Sequence, residues 1–259
     1  MKLNYPMKSN GMYILKSGDF DDIAKAVLTE YMPSILEWPQ PVNIDYLATE
    51  CLYLDIEHAH LTTNGSILGL IVFEDTEDLT ILDMMYRPCK PKLPAGRVLI
   101  DYSLSGNENR PRARFTKAHE SGHWVLHRTY HSPDKQQFEF RRAGENRFIA
   151  CRTDNIERYK FKTEKTDSDW EEWQADRFAA SILMPKETFT QYSRDAIRNA
   201  GVRRGFLVQG EDNKHKAYEA IETVAEKFCV SKRATQIRMV QLGLIVERDT
   251  YLSSFAAYY

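Results

Sequence analysis

Two histidines one helical turn apart, with a glutamate directly after the first, are the residues best placed to do chemistry. They are His119, Glu120 and His123, in the stretch FTKAHESGHWVLH. On an α-helix, positions four apart share a face and lie about 6 Å apart along the axis. Two imidazoles so placed converge on one ion, and neutral imidazole nitrogen suits zinc at roughly 2.0–2.1 Å. Glu120 sits about 100° round the helix, beside the ion rather than on it. A general base stands there, taking a proton from a zinc-activated water and returning it to a departing amine. Trp124, Val125 and Leu126 give the helix an apolar flank by which it is buried. Gly122 costs a helix interior roughly 1 kcal/mol relative to Ala, which makes sense where another backbone passes close.

A catalytic zinc needs a third protein ligand and an open position. The spacing HExxHxxGxxH is not continued, because Leu126 and Thr129 stand at its last two fixed places. The third ligand is therefore sought in WEEWQADRFAASILMP. Glu172 and Asp176 are four apart and share a face with Ala179 and Ala180, small residues that permit a close approach to the HExxH helix. Glu172 is assigned as third ligand and Asp176 as partner for the second ring nitrogen of a ligand histidine. Glu171 is the alternative, expected to face Trp170 or solvent. His127 reads as a helix-end histidine bonding nearby carbonyls. His58, His60, His131 and His215 show no ligand spacing; His58 and His60 alternate on an expected strand where they could line a cleft, but read as surface residues.

The elements that position these residues follow from periodicity. Phe20, Ile23, Ala24, Val27, Leu28 and Tyr31 predict an amphipathic helix, and VNIDYLATECL predicts a second. YLDIEHAHL, SILGLIVFE, LTILDMMY and RVLIDYSL are short apolar or alternating runs bounded by turn residues. They predict a small antiparallel sheet preceding the motif, with RVLIDYSL or SILGLIVFE supplying an edge for an extended peptide. The motif helix is expected to open near Pro111 and run to His127. Residues 128–168 are polar and irregular, with a hairpin near FEFRRAGENRFIACR. SDWEEWQADRFAASILMP predicts a helix capped by Asp167, Ser168 or Asp169 and stopped by Pro185. Three further helices follow: KETFTQYSRDAIRNAG, ended by Gly201, then KAYEAIETVAEKF and SKRATQIRMVQLG around the turn CVS.

Hydrophobic residues make up 42% of the 259, enough for a buried core, and a net charge of −2 gives no electrostatic case for general nucleic-acid or membrane binding. The four cysteines, Cys51, Cys89, Cys151 and Cys229, form no CxxC pair and fit reduced thiols in a cytoplasmic setting. The N-terminal stretch lacks the apolar core of a signal peptide, and no window is apolar enough to span a membrane.

In these residues and their spacing, the chain resembles the ImmA/IrrE family of metallo-endopeptidases. RFTKAHESGHWVLH is similar to that family's Phe-Thr-x-Ala-His-Glu-x-Gly-His helix, trailing histidine included. WEEWQADRFAASILMP resembles its second helix with the Leu-Met-Pro stop. PVNIDYLATE and AEKFCVSKRATQIRMVQLGLI resemble its opening helix and C-terminal pair, so the likeness spans roughly residues 40–245. Ser121, where Leu is more usual, and the long segment 128–168 depart from the pattern. The resemblance implies an α+β, zincin-like (gluzincin-like) protease domain over residues 41–200. A short antiparallel sheet would pack on the HExxH helix, with an arm and helix over 1–40 and a C-terminal helical segment over 201–259. It further implies zinc held by His119, His123 and Glu172, Glu120 as base, and a helix-turn-helix repressor as substrate. The C-terminal pair itself looks like a helix-turn-helix, with Ser231 capping a helix that bears Lys232, Arg233 and Arg238. Residues 201–259 hold nine Lys/Arg against seven Asp/Glu, so this pair is expected to pack rather than to read DNA. The alternative function is a non-hydrolytic module that sequesters a repressor or senses metal, although such a module has no need of Glu120.

Overall fold

The first long apolar periodicity folds as expected. In the computed structural model, which describes residues 3–131, 148–152 and 166–249, helix α1 (Asp19–Tyr31) buries Phe20, Ile23, Ala24, Val27 and Leu28. A short α2 (Ile44–Tyr46) follows, capped by the Asn43 side chain, which accepts from the Tyr46 amide. It widens into a π-type turn, Leu47–Cys51. The fold is mixed α+β. No helix among the described residues is long and apolar enough to cross a membrane, and all four cysteines are free thiols.

The main sheet differs from expectation in two ways. Its strands are β1 (Asp55–Ala59), β2 (Ile67–Val72), β5 (Arg97–Asp101) and β6 (Phe148–Arg152), in the order β1-β5-β2-β6. β1 pairs parallel to β5, whereas β2 pairs antiparallel to both β5 and β6, so the sheet is mixed. The chain between Ala59 and Arg97 is long enough to return in the same direction, as a parallel pair requires. The sheet also does not wholly precede the motif, because β6 follows it. Both strands proposed as a peptide-binding edge, β2 and β5, are interior. The edges among the described residues are β1 and β6. Two short ribbons complete the strands: β3 (Ile81–Leu82) with β4 (Pro88–Cys89), and β7 (Leu207–Val208) with β8 (Ile245–Val246). The hairpin expected near residues 138–152 falls outside the described residues except for β6, as does the tail YLSSFAAYY.

β2 reads ILGLIV, a nearly unbroken apolar run, because both its faces are covered. Leu70 and Val72 join Leu61, Leu79, Leu93 and Leu99 on one side. Leu68 and Ile71 join Val98, Ile100 and Phe73 on the other, where Ala113 and Trp124 of helix α3 (Arg110–His131) pack. Gly69 lies under that helix. A Cβ there would stand 2.5 Å from Thr116 Cγ2 and 2.7 Å from Glu120 Oε1. Only glycine lets the motif helix sit this close to the sheet.

Helix α4 (Asp167–Leu183) starts one residue earlier than its expected caps. Thr166 Oγ1 accepts from the Asp169 amide at 3.2 Å, and the Asp169 carboxylate accepts from the Thr166 amide at 3.0 Å. This reciprocal pair satisfies two amides at the helix start. Two compact units emerge, interleaved along the chain. One comprises the described residues up to Ala24 with Asn43–Ala179; the other comprises Lys25–Val42 with those from Ala180 onward. The second unit holds α5 (Lys186–Asn199), α6 (Lys214–Phe228) and α7 (Lys232–Gln241). α6 ends on Cys229 in the left-handed region, and Ser231 caps α7 by accepting from the Ala234 amide. Arg238 is buried and donates to the Met184 carbonyl at 3.2 Å, while Lys232 is held by Glu222 and Tyr218.

Candidate metal centre

Helix α3 runs one turn beyond its expected end, to His131. His119, His123, His127 and His131 therefore recur every fourth residue along one face, and all four are buried. Facing them, α4 contributes Glu171, Glu172, Gln174 and Asp176. The two helices approach closely at Gly122, where a Cβ would meet the Ala175 Cα and carbonyl oxygen at 3.3 Å and Phe178 Cδ1 at 3.0 Å. The glycine that weakens α3 in isolation is what lets a second backbone pass there.

The structure brings together the expected ligand atoms. His119 Nε2 and His123 Nε2 are 3.0 Å apart. Glu172 Oε2 lies 3.4 Å from the first and Oε1 3.5 Å from the second. An ion bound tetrahedrally at 2.0–2.1 Å from each donor would separate them by roughly 3.3 Å. The donor triangle thus has the size, and its two imidazoles and one carboxylate the chemistry, that zinc requires. Asp176 Oδ1 sits 2.9 Å from His119 Nδ1, the expected outer contact.

The hydrogen-bond network dictates the tautomers. Gln174 Nε2 donates to the Tyr13 carbonyl at 2.9 Å, which turns its Oε1 toward His127 Nε2, 3.1 Å away. Neutral His127 must then carry its proton on Nε2, leaving Nδ1 bare. That Nδ1 lies 3.0 Å from His123 Nδ1, so the intervening proton belongs to His123. His123 Nε2 is left as a lone pair aimed at the triangle. Burial keeps both rings neutral: His123 is depressed to about 4, and His127 to about 3 with help from His123.

His119 differs. Burial alone would depress it, but the Cys151 sulfur, Asp176 and Glu172 hold it well above the usual imidazole range. Burial pushes Cys151 up to about 11, so its thiol is uncharged at neutral pH, and the standing support for a charged His119 is the two carboxylates. Glu172 is itself held well below the carboxylate range: burial opposes this, but hydrogen bonds from His119 and His123 outweigh it. A charged His119 donates from Nδ1 to Asp176 and from Nε2 into the triangle. A divalent ion held in the triangle would therefore displace a single proton, the one on Nε2.

Glu120 points the other way, under Gly69. It is fully buried, and neither carboxylate oxygen has a hydrogen-bond partner among the described residues. Burial, with the Glu172 charge adding and His119 opposing, raises it to about 8. Among the described residues, two groups each have potential ligand atoms within 4.8 Å of one another: His119–His123–Glu172 and His119–Glu120–Cys151.

Two sequence readings need correction. His127 is no helix-end histidine; it is buried and sets the His123 tautomer. Glu171 faces neither Trp170 nor solvent, but is buried against His131 Nε2. His131 is buried as well and stacks on Phe73, ring centroids 4.5 Å apart. The fourfold spacing 119/123/127/131 was the signal available for His127 and His131. Cys151 gave none, since it arrives from a distant strand. His58 and His215 are exposed, while His60 is half-buried against Tyr86 and Tyr102. No family model matches the chain, and no curated protein matches it.

Proposed function

We propose that the chain is a zinc-dependent endopeptidase of narrow specificity, zincin-like and akin to the ImmA/IrrE family, acting on a helix-turn-helix repressor. The observation that carries this reading is Glu120: a buried carboxylate with both oxygens unsatisfied, one residue from a donor triangle of tetrahedral size. Leaving a buried polar group unpaired costs on the order of 1–3 kcal/mol, more when it is charged. A purely structural site would have no reason to bear that cost.

His119, His123 and Glu172 would hold the ion. Bound zinc supplies Lewis acidity and a water that is nucleophilic near neutral pH. Glu120 takes the proton of the attacking water on a carboxylate oxygen and delivers it to the leaving amine. Asp176 keeps the His119 ring oriented through Nδ1, and the His127–Gln174 pair keeps His123 in the ligating tautomer. A substrate strand would add to β6, the sheet edge beside α3, in the manner of strand addition. The repressor as substrate rests on the family resemblance.

The test is co-expression with helix-turn-helix repressors of the same genome, with fragments read by mass spectrometry. The wild-type chain is expected to cut one repressor at one position. Glu120→Gln should retain zinc while cutting about 10²–10⁴-fold more slowly. Equal cutting by that variant contradicts hydrolysis through Glu120. Tight repressor binding without cutting by the wild type favours the sequestering module instead.

A further inference from the structure

The mechanism above leaves Cys151 unused, although it is the third member of a ligand-type cluster with His119 and Glu120. The side chain is buried, 9% exposed, on edge strand β6. Its sulfur lies within 4.8 Å of a His119 ring nitrogen and of a Glu120 carboxylate oxygen. Across the ladder its partner is Gly69, whose missing side chain makes room for Glu120. Sheet and helix thus bring a thiol, an imidazole and an unsatisfied carboxylate together. A buried cysteine usually serves as a small hydrophobe. Here its nearest functional neighbours are two polar groups of the metal centre, one of them with neither oxygen hydrogen-bonded.

Building on the zinc reading, we propose that Cys151 is a fourth ligand that closes the ion's open position in the resting protein. Thiolate is a preferred zinc ligand, and a site with four protein ligands is closed to water and substrate. The sulfur stands beside His119 and Glu120 rather than within the His119–His123–Glu172 triangle, so closure takes a rotation of its side chain. As the sulfur–zinc bond forms, the S–H bond breaks and its proton is released, as metal binding to a thiol requires. Closure therefore fills the open position. Opening runs in reverse: the sulfur leaves the ion and takes up a proton.

Cobalt(II) substitution tests this without reference to activity. Metal-free protein given one equivalent of cobalt is expected to show an intense near-ultraviolet band from thiolate-to-cobalt charge transfer. Cys151→Ser and Cys151→Ala should each bind one cobalt without that band. Their zinc affinity, measured against a chromophoric chelator, should fall more than about tenfold, the lower end of what even outer partners of a ligand contribute. One bound cobalt without the band in the wild type overturns the latch and leaves the zinc centre standing. So does a band that persists in both variants. No bound cobalt at all overturns the zinc centre and the latch with it. The wild-type spectrum decides even if a variant fails to fold.

Discussion

The buried part of α3 carries two kinds of polar group. Toward its C-terminal end, His127 and His131 are matched by α4: both His127 nitrogens are engaged, by His123 and Gln174, and His131 meets Glu171. Toward the middle, His119, His123 and Glu172 converge on one another, and Glu120 has no hydrogen-bond partner for either oxygen. Both regions are equally buried, so burial alone does not separate them. Native proteins pair nearly all their buried polar atoms. The matched end is therefore the support, and the unmatched middle is where chemistry is to be sought. Support and site are joined through one ring, His123, whose two nitrogens look in opposite directions.

The contrast breaks most visibly at Glu120. Its carboxyl is raised to about 8 in the fold against 4.5 when free, so the folded state holds the proton more tightly. Stability contributed at low pH is then lost as pH rises from about 4.5 toward 8. Glu120→Gln removes this loss. In metal-free protein, the stability advantage of the variant over wild type should grow by about 3–4 kcal/mol between pH 5 and pH 8, at 1.36 kcal/mol per unit. Urea unfolding at the two pH values measures it, and a difference that does not change with pH would mean that Glu120 is paired after all.

A smaller effect sharpens the comparison from the matched end. Gln174→Leu leaves His127 Nε2 without its acceptor and frees the tautomer that presents His123 Nε2. Zinc affinity should fall about 10–100-fold, or 1.4–2.7 kcal/mol, although Gln174 is no ligand. Unchanged affinity would show that the matched end is packing only, with no hold on the site.

The two helices and their ligand spacing were legible in the sequence because both are local. Fourfold spacing and one helical period decide which side chains share a face, and Ala179 with Ala180 marked the face of α4 on which Glu172 lies. Glu171, one residue away, is turned by about 100° and finds His131 instead. His127 was misread because the helix was ended one turn short, which hid the fourth member of the row. Sheet order was not legible, since the parallel β1–β5 pair and the late strand β6 depend on contacts between distant segments. Cys151 reaches the site only through that order. The Thr166–Asp169 cap does not stand out in the sequence because two other capping residues, Asp167 and Ser168, lie between them.

Zinc content is the most direct test. Protein dialysed against trace zinc and then against metal-free buffer is analysed for metal per chain, beside Glu172→Ala with its fold checked by circular dichroism. One zinc per wild-type chain, and a small fraction of one in the folded variant, is the predicted result. A wild type without zinc, or a variant that retains a full equivalent, would contradict an ion held between α3 and α4.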